Sequence, residues 1–341
     1  MDLKMTVTPR ELKPLLTSLA NEKNPPTVFL WGQPGIGKSQ IIEQLGEEMK
    51  IPVTTTILSL MDPIEMKGLL VYDKDEKKAD FVPLKILPQG KSIWFLDEIV
   101  TAPPSVLNTT LRVIQEKWLG NTKIPDDCFI VMASNRNKDK VTPFKLSSAF
   151  VNRSIHISLE PSFEDWKHWA YSNNIRPEVI AYIEMAPNDF VHEPRTDYPF
   201  ATPRSWEKVS DMLKYNNDVL ISGLVGEDVS TKFSEFRKNA FGVKEMLNDI
   251  YKGKFAYPKE SEVGKSFIIS SVLPTKHEKD NVLENVIKYC VKAPNHWNPF
   301  SILTMKNLLI NTTISRLFSL PSVKKDLLAF NEKFTQLKLF D

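Results

Sequence analysis

The stretch SIWFLDEIV, residues 92–100, places two acidic side chains directly after an apolar run. Residues 93–96 are all apolar, which is typical of a strand covered on both faces in a parallel sheet. Asp97 and Glu98 would therefore lie where a buried strand ends, and carboxylates in such a place need a cation or a chemical role. An acid pair can also mark a strand end that is exposed to solvent. A matching motif elsewhere in the sequence is needed as a partner to distinguish these two alternatives.

The motif GQPGIGKS, residues 32–39, is that partner. It fills every fixed position of G-x-x-x-x-G-K-[ST], whose glycines let backbone N–H groups converge on phosphate oxygens while the following helix offers its positive end. Lys38 would neutralise the β and γ phosphates, and Ser39 and Asp97 would bind Mg²⁺. Glu98 would be the base that orients the attacking water. The residues predicted to hold the nucleotide are Gly32, Gln33, Pro34, Gly35, Ile36, Gly37, Lys38, Ser39 and Gln40.

Alternating strands and helices must position these residues. Thr8 and Glu11 form a capping-box pattern, which predicts a helix to about Asn21. The apolar runs that indicate strands are residues 27–31, 53–57, 93–96, 129–133 and 155–159, and the main helix-like segments between them are 40–49 and 105–118. This alternation favours an α/β fold with a parallel sheet between layers of helices.

The chain changes character after Pro161, where no further series of strands is indicated. Helices are predicted at residues 163–172, 176–184, 205–215, 229–240, 280–290 and 302–318. A charged cluster at residues 73–78 between two apolar runs suggests a hairpin tip, or a plain solvated loop. A second Gly-Lys-Ser at residues 264–266 lacks the glycine that a phosphate loop needs at position 259, so we interpret it as surface helix or loop.

The composition excludes several classes of function. The net charge is +2, and 19 of 44 basic and 18 of 42 acidic residues lie in the first 150 positions, so charge alone gives no case for nucleic acid. Cys128 and Cys290 read as buried thiols, and the five histidines lack zinc-ligand spacing. No signal segment or apolar run of about 18 residues occurs, so we expect a cytoplasmic protein without a membrane span.

The segments GQPGIGKS, FLDEI, ASN, NR and TPRSW together resemble the AAA+ ATPases, and within them the MoxR-like branch. The resemblance implies a P-loop NTPase core with a parallel five-stranded sheet of order 5-1-4-3-2, followed by a helical lid and a helical C-terminal region. The implied domains are residues 1–160, 161–245 and 246–341. The implied substrate is ATP with Mg²⁺, and the activity is ATP hydrolysis.

Three further site residues follow from this resemblance. Asn135 matches the sensor 1 residue that touches the γ-phosphate or the attacking water, and Arg153 matches the arginine finger that a neighbouring subunit inserts. Arg204 matches sensor 2. The finger motif itself departs from the family pattern, because Ser154 stands where a phenylalanine usually follows the arginine. Simpler alternatives remain open: Asn135 as a turn former, Arg153 as a helix cap and Arg204 as an exposed first-turn arginine.

The resemblance also implies a way of working. Relatives form rings, usually hexamers, and remodel a protein client such as a von Willebrand factor A domain protein, with an insert hairpin like residues 58–83 lining the pore or contacting the client. Two alternatives stay open. One, which the sequence does not favour, is a loader or remodeller of nucleic acid, with the basic run Arg136, Lys138, Lys140 and Lys145 as the candidate contact. Because Asp139 interrupts this run, a solvated loop is the preferred interpretation of it. The other is a nucleotide-gated scaffold with little turnover.

Overall fold

The computed structural model describes residues 6–62, 64–65, 69–75, 77–82, 87–135, 146–195, 197–239, 242–276 and 278–334. The chain divides into two compact units, Met1–Ser162 and Phe163–Asp341. The strands are β1 Thr6–Val7, β2 Val28–Trp31, β3 Val53–Ile57, β4 Leu69–Asp73, β5 Lys78–Val82, β6 Ile93–Asp97, β7 Trp118–Leu119, β8 Thr122–Lys123, β9 Phe129–Ser134 and β10 Ile155–Leu159. The helices of the first unit are α1 Pro9–Ala20, α2 Lys38–Met49, α3 Pro104–Glu116 and α4 Ser148–Val151.

The first unit contains a parallel six-stranded sheet of order β1-β10-β2-β9-β6-β3. The five strands expected from the sequence stand in the predicted order, but the predicted number was wrong because β1 adds a sixth strand. Thr6 and Val7 pair with Ser158 and Leu159, and the backbone N–H of Glu160 donates to Val7 O at 2.9 Å. The capping box at Thr8 is present as predicted and fixes where α1 begins.

Alternate side chains of each central strand enter opposite layers of the core. In β2, Val28 and Leu30 pack with α1 and α2, whereas Phe29 and Trp31 pack in the cluster on the other face, which contains α3 residues. The strands β2, β6 and β9 are buried along almost their whole length, which explains their continuous apolar sequences. This rigid layer places the carboxyl ends of β2, β6 and β9 next to one another.

Two short hairpins extend from this unit. The strands β4 and β5 pair in antiparallel register, so the hairpin expected around the charged cluster is confirmed. The strands β7 and β8 form the second hairpin, and the helix predicted over residues 105–118 therefore ends earlier, at Glu116.

The described residues of the second unit form helices joined by loops and contain no strand. Its helices are α5 Phe163–Ser172, α6 Pro177–Met185, α7 Pro203–Met212, α8 Asp218–Val225, α9 Glu227–Lys238, α10 Val243–Tyr251, α11 Val263–Val272, α12 Asp280–Val291, α13 Asn298–Asn311, α14 Ile314–Phe318 and α15 Pro321–Lys333. One apolar cluster extends from Trp166 to Trp297, across the boundary expected at residue 245. None of the helices in the described ranges is long and apolar enough to cross a membrane.

Several helical predictions need correction. The segment 302–318 is two helices, because Thr313 Oγ1 accepts from the Arg316 N–H and caps a new one. The helices α8, α10, α11 and α15 were not predicted. The second Gly-Lys-Ser does lie on a helix, but Ser266 is buried and not on the surface. Cys128 and Cys290 are free and buried, as expected.

Candidate functional site

The loop between β2 and α2 has a backbone that its glycines make accessible. Gly35 and Gly37 have φ values of 76° and 95°, in the left-handed region that other residues rarely adopt. A Cβ atom on Gly32 would lie 2.6 Å from Ile36 Cδ1 and 3.1 Å from Leu159 O. Ile36 is buried beneath the loop and anchors it to the core. The first backbone N–H groups of α2 lie directly beyond Gly37, which offers no capping side chain, so this helix end is suited to phosphate oxygens.

Lys38 is the first residue of α2, and its side chain turns back over the loop. Its Nζ donates to Gly32 O at 2.8 Å, Gln33 O at 2.9 Å and Asn135 Oδ1 at 3.2 Å. Only 8% of Lys38 is exposed. The structure therefore brings together Lys38 from the loop and Asn135, which directly follows β9, although they are 97 positions apart in the sequence.

Ser39 and Asp97 meet at the same edge of the sheet. The Ser39 hydroxyl donates to Asp97 Oδ2 at 3.2 Å, and the Glu98 N–H donates to Asp97 Oδ1 at 2.8 Å. Hydroxyl and carboxylate oxygens are ligands that Mg²⁺ prefers, and two neighbouring ligands of an octahedral Mg²⁺ lie roughly 2.9 Å apart. The two side chains thus fit a magnesium ion with little movement. The described residues hold no cluster of three or more His, Cys, Asp or Glu with metal-site geometry, so phosphate and water oxygens would complete the shell.

Glu98 follows Asp97, and its side chain is exposed. Its backbone has a φ of 57°, a left-handed conformation that is uncommon for a residue with a side chain. The Ser59 hydroxyl donates to Glu98 Oε2, so a residue just after β3 holds the carboxylate. Ser134 Oγ accepts from the Val100 N–H at 3.3 Å and fixes the chain beyond it. Sequence reasoning missed Ser59, because a serine after a strand is an ordinary turn residue.

Arg153 lies at the opposite end of the strands from the phosphate loop. It precedes Ile155, which pairs with Val28 at the start of β2, whereas the loop follows Trp31, the partner of Ser158. The strand residues between the two levels, Ile155 to Ser158, alone span roughly 10 Å, which is longer than an arginine side chain. Arg153 therefore does not reach the loop of its own chain.

The guanidinium of Arg153 is exposed and held by two acceptors. Its Nη1 donates to Ala149 O at 2.9 Å. With the Gln115 amide turned so that its oxygen faces the guanidinium, that oxygen accepts from Arg153 Nε at 2.8 Å. Gln115, on α3, is a second residue that the sequence did not single out.

The remaining predicted residues lie outside the described residues of the first unit. Arg204 is exposed in the first turn of α7, in the second unit, where Thr202 and Ser205 form a capping box. Its role as sensor 2 stays a prediction. All four residues of the basic run lie outside the described residues: Arg136, Lys138, Lys140 and Lys145.

Comparison with known proteins agrees with this geometry. Residues 27–154 match the family model described as the AAA domain (dynein-related subfamily). Two uncharacterized proteins of Methanocaldococcus jannaschii, MJ0812 and MJ0079, are each 37% identical to this chain over 119 residues. The match covers 33% of this chain and 30% and 29% of those proteins, so the chain matches less than a third of their length.

Two solved structures show a weaker likeness. RuvB of Thermotoga maritima, described as a Holliday junction branch migration motor, has a TM-score of 0.39 and 15% identity over 76% of this chain and 80% of that chain. NtrX of Brucella abortus in complex with ADP has a TM-score of 0.35 and 15% identity over 96% of this chain and 67% of that chain. At such low TM-scores we draw no functional conclusion from either protein.

Proposed function

We propose that this protein is a Mg²⁺-dependent ATPase, because residues 27–154 match the family model described as the AAA domain (dynein-related subfamily). The observation that carries the proposal is the hydrogen bond between Ser39 and Asp97, whose Oγ and Oδ2 atoms are 3.2 Å apart. It joins the phosphate loop to the strand end that carries Glu98. The groups that hold a nucleotide and the group that activates water therefore stand side by side.

Each of these groups has one task in the proposed reaction. Backbone N–H groups of the loop and of the start of α2 hold the phosphate oxygens, and Lys38 shifts from its carbonyl acceptors to the β and γ phosphates. Ser39 and Asp97 hold Mg²⁺, which neutralises phosphate charge when bound. Glu98 accepts a proton from the attacking water, and Asn135 orients that water or the γ-phosphate.

Arg153 serves the site of a neighbouring subunit. The separation of roughly 10 Å along the strand from its own loop leaves a second copy of the chain as the source of the finger. An arginine supplied in trans is worth about 10³ to 10⁵ in rate, or about 4 to 7 kcal/mol of transition-state stabilisation. An isolated subunit therefore binds ATP but hydrolyses it slowly, and a ring, which we propose to be a hexamer, is the active form.

The ring acts on a protein client, in the manner of the MoxR-like branch. Support comes from the insert segment, residues 58–83, whose described side chains include exposed apolar ones. Leu60 is 77% exposed, Leu70 57% and Tyr72 59%, and these side chains are the proposed contact with the client. A von Willebrand factor A domain protein is the client class that we propose, with Arg204 of the helical unit acting as sensor 2.

A subunit-mixing experiment tests the proposal. Glu98→Gln and Arg153→Ala each inactivate the protein alone, but a mixed ring contains interfaces that pair an intact Glu98 with an intact Arg153. Random mixing in equal amounts places such pairs at about a quarter of the sites, so about a quarter of the wild-type ATPase rate should return. Mixing Arg153→Ala with the double variant Glu98→Gln/Arg153→Ala is the matched control, in which no rate returns. Equal rates in the two mixtures would contradict a finger supplied in trans.

A further inference from the structure

His156 joins two chain segments that have different tasks in the proposed reaction. It is the second residue of β10, and its Nδ1 accepts from the Trp31 indole N–H at 2.8 Å. An acceptor nitrogen carries no proton, so the proton of the neutral ring is on Nε2. That nitrogen lies 2.9 Å from Val151 O and 3.2 Å from Ser154 Oγ, and it donates towards them.

One end of this connection is the base of the phosphate loop. Trp31 is the last residue of β2, and only 3% of it is exposed. Its ring stacks on Phe29, with centroids 4.2 Å apart, and lies nearly parallel to the His156 ring. Gly32 follows directly, and its carbonyl oxygen accepts from Lys38. His156 therefore holds the side chain of Trp31, the residue directly before the loop.

The other end is the segment that carries Arg153. Val151 ends α4, and Ser154 directly follows Arg153, so the two acceptors of the imidazole flank the arginine. Ser154 Oγ also lies 3.4 Å from Phe150 O, and Phe150 is buried in the same apolar cluster as Phe29 and Trp31. The backbone on both sides of Arg153 is thus tied to β2 through one histidine.

We propose that His156 is a positioning residue for Arg153, which holds the backbone of the finger in the place where the neighbouring subunit needs it. The inference rests on the proposed role of Arg153. The exposed guanidinium has only Ala149 O and Gln115 as described partners, so its position depends on how firmly the backbone beneath it is held. A displacement of about 1 Å in a catalytic group costs up to about 100-fold in rate.

The test begins with His156→Phe, which keeps an aromatic ring against Trp31 and removes the hydrogen bonds of both ring nitrogens. We expect kcat of ATP hydrolysis to fall about 10- to 100-fold, while the Kd for Mg·ATP from calorimetry changes less than about threefold. His156→Gln retains an N–H donor for Val151 O and should recover part of kcat. The control is His296→Phe in the helical unit, which removes a comparable contact between an imidazole and the Pro258 carbonyl and leaves kcat unchanged.

A double-mutant cycle with Arg153→Ala separates positioning from a general loss of structure. If His156 acts through Arg153, adding His156→Phe to Arg153→Ala lowers kcat less than about twofold. An equal loss in both backgrounds would show a merely structural histidine and overturn the inference. If His156→Phe unfolds the chain, Trp31→Phe, which removes the indole donor together with part of the ring, takes its place in the cycle.

The outcomes also distinguish this inference from the proposed function. A slow Arg153→Ala beside a fully active His156→Phe overturns the positioning role and leaves the ATPase proposal intact. If Arg153→Ala hydrolyses ATP as fast as the wild type, the finger role of Arg153 and the positioning role of His156 are both wrong.

Discussion

Replacing Ser59 with alanine should accelerate ATP hydrolysis. In the structure the Ser59 hydroxyl donates to the Glu98 carboxylate. In the proposed reaction, Glu98 would have to leave this partner before it accepts a proton from water. A hydrogen bond to a charged group contributes about 1.5 to 3 kcal/mol in a protected place. Because Glu98 is exposed, we take the contribution of this hydrogen bond as about 1 kcal/mol. Removing the bond lowers the activation barrier by that amount and raises the rate about fivefold.

The assay is steady-state phosphate release at saturating Mg·ATP. Ser59→Thr keeps the hydroxyl and should stay near the wild-type rate. The double variant Ser59→Ala/Glu98→Gln should gain nothing over Glu98→Gln, because the effect of Ser59 passes through the carboxylate. A Ser59→Ala rate at or below that of the wild type would refute the reasoning, since Ser59 would then support the working position of Glu98.

Three other predictions concern the metal, the packing and the pH dependence. Ser39→Cys should lose most activity with Mg²⁺ and regain about tenfold when Mn²⁺ replaces it, because a sulfur ligand suits the softer ion; an unchanged metal preference would argue against Ser39 as a ligand. Gly46→Ala should lower the free energy of unfolding in urea by about 1 to 3 kcal/mol, since the new Cβ would lie 2.2 Å from Val53 Cγ2. Burial raises the pKa of Cys290 from 9.0 to about 12. The unfolded chain therefore loses this proton first, and stability should fall by about 1.4 kcal/mol per pH unit between pH 9 and 12, with a shallower fall in Cys290→Ala.

The loop between β2 and α2 and the acidic strand end could be predicted from the sequence, because the proposed chemistry requires fixed residue types at these positions. Only glycine suits the close packing at Gly32 and the positive φ at Gly37. The central strands could also be predicted from the sequence, because burial on both faces requires unbroken apolar runs such as those of β6 and β9. Their order came from family resemblance and is confirmed in the structure.

Other features were hidden because they depend on distant parts of the chain. The edge strand β1 has two residues, too few for any periodicity. The Trp31–His156 hydrogen bond joins residues 125 positions apart, and local sequence carries no sign of it. The helix α11 was missed because its sequence, VGKSFIISSV, buries five of its ten residues without an amphipathic stripe.

The two proposals together place function at both ends of the parallel strands. The carboxyl ends of β2, β6 and β9 carry the loop, Asp97 and Glu98, while Arg153 stands before the start of β10. In a ring, one subunit would offer the first end and its neighbour the second. Under these proposals, nucleotide binding would be a property of one chain and rapid hydrolysis a property of the assembly.

Calorimetric titration of the purified protein with ATP tests the central claim most directly. The account predicts saturable binding in the presence of Mg²⁺, weakened at least about tenfold in Lys38→Met, because a charge-assisted hydrogen bond contributes about 1.5 to 3 kcal/mol. The absence of binding to the wild type, or equal affinities for the wild type and Lys38→Met, would contradict it.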